Sequence, residues 1–112
     1  MTRSLAIARA ADYFDSGGFL ADVTRRVAFR TESGTPGRPD ELLAYLEREM
    51  VPAASRLGAW ARVLDNPGAC GPLLIARRRE DDGLPTVLLY GHADVVPAEP
   101  SRWRPGLDPW RV

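Results

Sequence analysis

The sequence predicts an α/β fold in which helices pack against a sheet. Three segments in the first half of the chain carry apolar residues at helical spacing, and three short apolar runs bounded by turn residues follow in the second half. The 112 residues, 45% of them hydrophobic, are enough for one small domain with its own core. We therefore expect a sheet with helices against it and a functional site at the carboxyl end of its third strand.

Two helices are expected in the first quarter of the chain. Thr2 or Ser4 can cap the first helix, which runs to about Asp15, where a Ser-Gly-Gly sequence interrupts it. The second helix carries an amphipathic pattern of apolar residues between Phe19 and Val27. Ordinary core packing explains this pattern better than a partner-binding helix does.

A third helix is expected after a polar loop from Thr31 to Pro39. Proline suits the first turn of a helix, so the helix should begin near Pro39. Its apolar stripe runs from Leu42 to Met50. Pro52 removes a hydrogen-bond donor, so the helix should kink or restart there, and Gly58 should end it.

Two strands, Trp60 to Leu64 and Leu73 to Arg77, are expected to pair as an antiparallel hairpin with a long loop. Cys70 lies in that loop, where no second cysteine or histidine accompanies it, so we interpret it as an incidental thiol. The arginines at 77–79 are followed directly by three acidic residues. This neutral run indicates a solvated strand end rather than a nucleic-acid patch.

Composition narrows the classes of partner. The chain has 15 basic and 15 acidic residues, so it offers no electrostatic basis for binding nucleic acid or an anionic membrane. No apolar run reaches the length of a membrane span. A single cysteine cannot form an internal disulfide, which indicates a reducing compartment, and we expect a cytoplasmic protein.

The third predicted strand leads to the candidate site. Val87 to Tyr90 is typical of a strand buried on both faces, and burying each side chain contributes roughly 1.5–3 kcal/mol. The single histidine, His92, and then Asp94 follow Gly91. Residues two apart in an extended backbone project to the same face, so these two should stand side by side. A neutral imidazole backed by a carboxylate suits a zinc ligand, but a strand-capping histidine bonded to its neighbour has the same pattern.

A longer motif surrounds this pair. The segment Gly91 to Pro97 reads Gly-His-Ala-Asp-Val-Val-Pro and is followed by Trp103 and by an Asp-Pro-Trp sequence at 108–110. In this order and spacing it resembles the signature of the zinc-dependent peptidase family M-twenty, which includes aminoacylases, carnosinase-like dipeptidases, glutamate carboxypeptidases and acetylornithine deacetylases. The Arg-Thr-Glu-Ser sequence at 30–33 and the Asn-Pro pair at 66–67 also fit, and in the family the former is a helix-end feature.

The resemblance implies a mixed-sheet catalytic domain of which residues 1–112 are the N-terminal portion, without the family's helical dimerisation domain. It implies that His92 is a zinc ligand and that Asp94 is the catalytic carboxylate that orients it. It further implies two zinc ions in the complete enzyme, a dipeptide or N-acyl amino acid as substrate, and a homodimeric parent. The remaining ligands and the general-base glutamate would lie beyond Val112, so we expect this stretch alone to be inactive.

Two rival functions stay open at this point. The chain could be a non-catalytic binding or dimerisation fragment that retains the fold. The second rival is a serine hydrolase built on Ser101, His92 and Asp94. It is disfavoured because no strand–nucleophile–helix elbow surrounds the serine.

Overall fold

The computed structural model describes residues 2–34, 39–68 and 71–112. Cys70 and positions 35–38 of the predicted polar loop therefore lie outside the described residues. The chain divides into two units, which we name the helical unit (Met1–Phe29 with Pro100–Val112) and the sheet unit (Arg30–Glu99). The helical unit contains α1 (Arg3–Asp15), α2 (Gly18–Val27) and a 3₁₀ turn (Pro100–Arg102). The sheet unit contains α3 (Pro39–Tyr45), a π-helical turn (Leu46–Met50), α4 (Val51–Arg56), β1 (Trp60–Leu64) and β2 (Leu73–Arg77).

In the helical unit, α1 and α2 form where the apolar spacing predicts them. The Thr2 hydroxyl accepts a hydrogen bond from the Leu5 N–H at 3.3 Å and so caps α1. Gly17, with φ of 83°, makes the turn into α2, a conformation that costs glycine little. The ring of Phe19 then lies edge-on to Tyr13 and 5.5 Å from Phe14, which ties the two helices together.

In the sheet unit, the predicted disturbance at Pro52 is confirmed. Proline has no N–H, so it cannot bond to the carbonyl four residues before it, and the helix must adjust its hydrogen bonding nearby. It does so through the π-helical turn at Leu46–Met50, after which α4 continues. Leu46 in this turn is the buried apolar side chain of the described core, at 4% exposure.

The predicted stop at Gly58 is also confirmed. Gly58 has φ of 75°, its N–H donates to the Ser55 carbonyl at 2.9 Å, and the Ala59 N–H donates to the Ala54 carbonyl at 3.0 Å. These are the two reverse hydrogen bonds of a Schellman motif, which satisfy carbonyls that the helix end would otherwise leave unpaired. The turn directs the chain straight into β1.

The predicted hairpin forms with β1 and β2 antiparallel. Trp60 pairs with Arg77 at one end and Leu64 with Leu73 at the other. α4 packs against both strands. The chain is therefore a mixed fold of helices and a small two-stranded sheet, which agrees with the predicted α/β class at this coarse level. None of the helices in the described ranges has the length and apolarity needed to cross a bilayer.

The prediction of a buried strand over Val87 to Tyr90 is wrong. These four residues have no strand assignment and are 75%, 91%, 86% and 93% exposed, in chain order. A strand needs a neighbour to pair with its backbone and a layer to cover its faces. Among the described residues the sheet holds β1 and β2 alone, so the run has the composition of a core strand but no partner for it.

Candidate functional site

His92 and Asp94 lie side by side, as their spacing predicts, although the backbone that carries them is irregular. The His92 Nδ1 atom is 2.8 Å from the Asp94 backbone oxygen and 3.3 Å from its carboxylate Oδ1. The His92 side chain is 71% exposed and that of Asp94 is 40% exposed. The pair therefore stands at the surface of the sheet unit, open to a ligand.

These contacts fix which nitrogen of the ring carries the proton. Both atoms that face Nδ1 are oxygen acceptors, so Nδ1 must be the donor. In the neutral ring the lone pair then lies on Nε2. Nε2 has no hydrogen-bond partner within residues 2–34, 39–68 and 71–112. His92 is thus set up to offer Nε2 to a metal ion or a proton.

Asp94 is held in its ionised form by its surroundings. The nearby Ser33 side chain is the largest cause that lowers the pKa of Asp94 below its ordinary value, since a polar hydrogen near the carboxylate favours its ionised form. Partial desolvation opposes this effect, while the backbone N–H of Asp94 and the bond from His92 add to it. An ionised carboxylate is the form that accepts from the His92 Nδ1–H.

Ser33 reaches the pair through a long-range backbone contact. The Ser33 N–H donates to the Val95 carbonyl at 2.9 Å, and the Val95 N–H donates to the Thr31 carbonyl at 3.0 Å, which makes a parallel bridge between Glu32 and Val95. The Glu32 carboxylate also accepts from the Ala98 N–H at 2.8 Å. We name this contact between residues 31–33 and residues 95–98 the clamp.

Sequence reasoning missed the clamp, because the motif assigned Ser33 to a helix end. The clamp joins residues 62 or more positions apart, and such a pairing leaves no local periodicity to detect. Thr31 in the clamp is buried, at 6% exposure, although nothing in its polar sequence surroundings indicates burial. Only the folded chain brings Ser33 to Val95.

A groove of about 740 Å³ adjoins the pair within the sheet unit. Residues of α3, the π-helical turn and β2 line it together with residues 31–34 of the chain and the segment that carries His92 and Asp94. Its apolar lining includes Leu42, Tyr45, Leu46, Met50 and Leu74. His92 and Asp94 therefore line a groove that combines apolar and polar groups, as small-molecule sites commonly do.

The donor set suits one ligand of a zinc ion but does not complete a site. Zinc-bound histidines commonly donate their other ring N–H to a carboxylate or a carbonyl, as His92 does to Asp94. A catalytic zinc takes about three protein ligands. In the part of the chain that the structure describes, no three His, Cys, Asp or Glu side chains are close enough to hold a metal ion.

The hydrogen bonds also argue against a serine hydrolase. In such a triad the nucleophilic hydroxyl bonds to the imidazole. The ring bonds of His92 in the described ranges go to Asp94, and the Ser33 hydroxyl donates to the Val95 carbonyl at 3.4 Å. Ser101 lies in the 3₁₀ turn of the helical unit, not in a strand-to-helix elbow.

Comparisons of this chain with protein-family models, with curated proteins and with solved structures find no match.

Proposed function

We propose that this chain supplies one metal ligand, His92, and its orienting carboxylate, Asp94, to a zinc-dependent amide hydrolase. The observation that carries the proposal is the pair of contacts from Nδ1 to Asp94, which leaves the Nε2 lone pair available. The motif from Gly91 to Pro97, with its resemblance to the family M-twenty peptidases, supports it. When bound, zinc would polarise the scissile carbonyl and lower the pKa of the attacking water.

The residues of this chain have defined tasks in that reaction. His92 holds the metal through Nε2, and Asp94 keeps the ring from rotating and from changing tautomer. The groove beside the pair receives the substrate, a dipeptide or an N-acyl amino acid. In this proposal the other ligands, the general base and the dimerisation surface come from further sequence of a cytoplasmic parent enzyme.

The test is zinc binding by the 112-residue chain, measured by calorimetric titration. With one imidazole and one neighbouring carboxylate, most of the coordination sphere is left to water, so binding should be weaker than micromolar. His92→Ala should abolish even this weak binding, while Asp12→Asn, which changes an exposed carboxylate of α1, should not. Equal binding by the chain and by His92→Ala would refute the assignment of His92.

A second test uses the complete coding region that contains this sequence. Expression of that region, followed by metal analysis and an assay with dipeptides and N-acyl amino acids, should give a zinc-loaded hydrolase. A complete protein that ends at Val112 would instead favour the rival function, a non-catalytic binding module. The exposed run at Val87 to Tyr90 is the observation that favours this rival, because such a surface suits contact with another chain.

A further inference from the structure

The groove beside His92 and Asp94 reaches the buried part of the sheet unit. Leu46 and Thr31 both line it, and they are 4% and 6% exposed. Its volume of about 740 Å³ lies within the range of roughly 300–1,000 Å³ that is usual for small-molecule sites. The space is therefore large enough to hold one organic group in contact with buried side chains.

The charges in the lining disfavour an anionic occupant. Of the described residues that line the groove, Glu32 and Asp94 carry carboxylates, and none is lysine or arginine. A negatively charged group would lose its hydration in the groove, meet two carboxylates and gain no cationic partner from the described lining. Both carboxylates are engaged within the chain, Glu32 with the Ala98 N–H at 2.8 Å and Asp94 with the His92 ring at 3.3 Å. They are therefore also poorly placed to replace the hydration of an ammonium group.

An uncharged aliphatic group fits the remaining lining. The groove is lined by aliphatic side chains from three elements, namely Leu42, Leu46, Met50 and Leu74. An alkyl chain that enters the groove exchanges contact with water for contact with these side chains, which is favourable. His92 and Asp94 line the same groove, so a group attached to an amide held at His92 has direct access to it.

We propose that the groove is a specificity subsite that binds an uncharged aliphatic acyl group or side chain of the substrate and disfavours an anionic one. This inference rests on the proposed function, which places the scissile amide at His92, and it narrows the substrate class. Leu42 is then a specificity-determining residue, because its side chain forms part of the wall that the alkyl chain contacts.

The test compares three probes that differ at one end. Hexanoyl-glycinamide ends in a methyl group, adipoyl-glycinamide has a carboxylate in place of this methyl, and 5-aminopentanoyl-glycinamide has an ammonium group there. Binding to the metal-free 112-residue chain is measured at neutral pH by NMR titration. The amide signals of Leu46, Leu74 and Ala93, which line the groove, locate the bound probe.

The hexanoyl probe should bind most tightly, with a dissociation constant of roughly millimolar for a ligand of its size. Shortening its alkyl chain should weaken binding by roughly fourfold for each methylene removed. The adipoyl probe should bind roughly tenfold more weakly or worse, and the aminopentanoyl probe should also bind more weakly than the hexanoyl probe.

Three results would overturn the proposal. The first is binding of either charged probe that equals or exceeds binding of the hexanoyl probe. The second is a set of shifted signals that includes the helical unit, because the probe would then contact the surface without selecting the groove. The third is movement of the groove signals with protein concentration in the absence of probe, because a second copy of the chain would then be the occupant.

Leu42→Ala and Leu43→Ala are the matched variants. Both leucines belong to α3, but Leu43 does not line the groove and is 37% exposed. Leu42→Ala should weaken binding of the hexanoyl probe by roughly three- to tenfold, and Leu43→Ala should not. Equal affinities in these two variants, with the amide spectrum of β1 and β2 preserved, would contradict the assignment of Leu42.

A second pair tests the charge and does not depend on the stability of Leu42→Ala. Glu32→Gln removes a carboxylate from the lining but keeps an oxygen acceptor for the Ala98 N–H. It should narrow the ratio between the affinities of the hexanoyl and adipoyl probes by roughly threefold. Glu47→Gln, which changes an exposed carboxylate that does not line the groove, should not alter the ratio. An unchanged ratio in Glu32→Gln would overturn the proposed charge selectivity.

The outcome is separable from that of the proposed function, because the probes are bound without zinc. If the probes bind as expected but His92→Ala leaves zinc binding intact, the groove is an aliphatic binding site and the zinc role fails. If zinc binding requires His92 but the charged probes bind as tightly as the hexanoyl probe, the zinc role stands and the subsite fails.

Discussion

Replacing Gly58 by alanine tests how the end of α4 is stabilised. Gly58 has φ of 75°, where an L-residue with a Cβ is disfavoured by roughly 1–2 kcal/mol. A Cβ built at this position meets nothing within 4 Å, so no steric clash with a neighbour adds to that cost. Alanine also reduces the entropy of the unfolded chain, which offsets the cost by roughly 0.4–1 kcal/mol. The net expectation is a loss of about 1 kcal/mol of unfolding free energy.

Gly91→Ala is the matched control. A Cβ at Gly91 also meets nothing within 4 Å, but its φ lies outside the left-handed region. The unfolded-state term is common to both variants, so their difference isolates the left-handed backbone and should be roughly 1–2 kcal/mol.

The unfolding free energies are measured by urea unfolding, monitored by the amide signals of β1, which report on the sheet unit. Equal unfolding free energies for Gly58→Ala and Gly91→Ala would refute the reasoning. That result would mean that the Schellman turn is not formed in solution or that alanine is accommodated there by a different helix end.

Three further predictions concern the helical unit and the site. Gly18→Ala should destabilise the α1–α2 pair by about 1–3 kcal/mol, because its Cβ would lie 2.7 Å from the Tyr13 ring and 3.1 Å from the Tyr13 carbonyl oxygen. Urea unfolding monitored by the amide signals of α2 measures this loss. The pKa of Asp22 is lowered, first by the Tyr13 hydroxyl and then by Arg25. Its contribution to stability is therefore present above the ordinary pKa of about 3.8 and is lost as the pH falls through the lower pKa of the folded state. NMR-monitored acid titration of α2 should show this loss, and Asp22→Asn should not show it. In the zinc-dependent hydrolase that we propose, Asp94→Asn should lower kcat by about 10–100-fold at full zinc occupancy, whereas His92→Ala should lose zinc and activity together. Steady-state kinetics with elemental analysis decides, and near-normal turnover of Asp94→Asn would make Asp94 a structural residue.

The elements that depend on local chemistry could be predicted from the sequence. The Thr2 cap, the disturbance near Pro52 and the stop at Gly58 follow from residues within a few positions of one another, and the β1–β2 hairpin joins two strands that are neighbours in the sequence. Caps, turns and proline effects use hydrogen bonds between nearby residues, so they leave a signal in the local sequence.

The elements that depend on distant partners could not be predicted in the same way. The composition of Val87 to Tyr90 records a tendency to be buried, but it carries no information about whether a partner strand is available. For the site, the two-residue spacing placed His92 beside Asp94 correctly. The clamp between residues 31–33 and residues 95–98 joins distant segments, so only the folded backbone reveals it.

The exposed run at Val87 to Tyr90 also has a consequence for the solubility of the chain. Four consecutive β-forming apolar residues, whose backbone groups have no partner among the residues that the structure describes, are a template on which further copies can stack into cross-β aggregates. Pro85 lacks an N–H and stops such pairing from extending toward the amino end. Just before it, the exposed ion pairs Arg78–Glu80 and Arg79–Asp82 keep this stretch hydrated. These flanking residues act as gatekeepers, so a substitution there can decide whether the chain stays dissolved while its fold is unchanged.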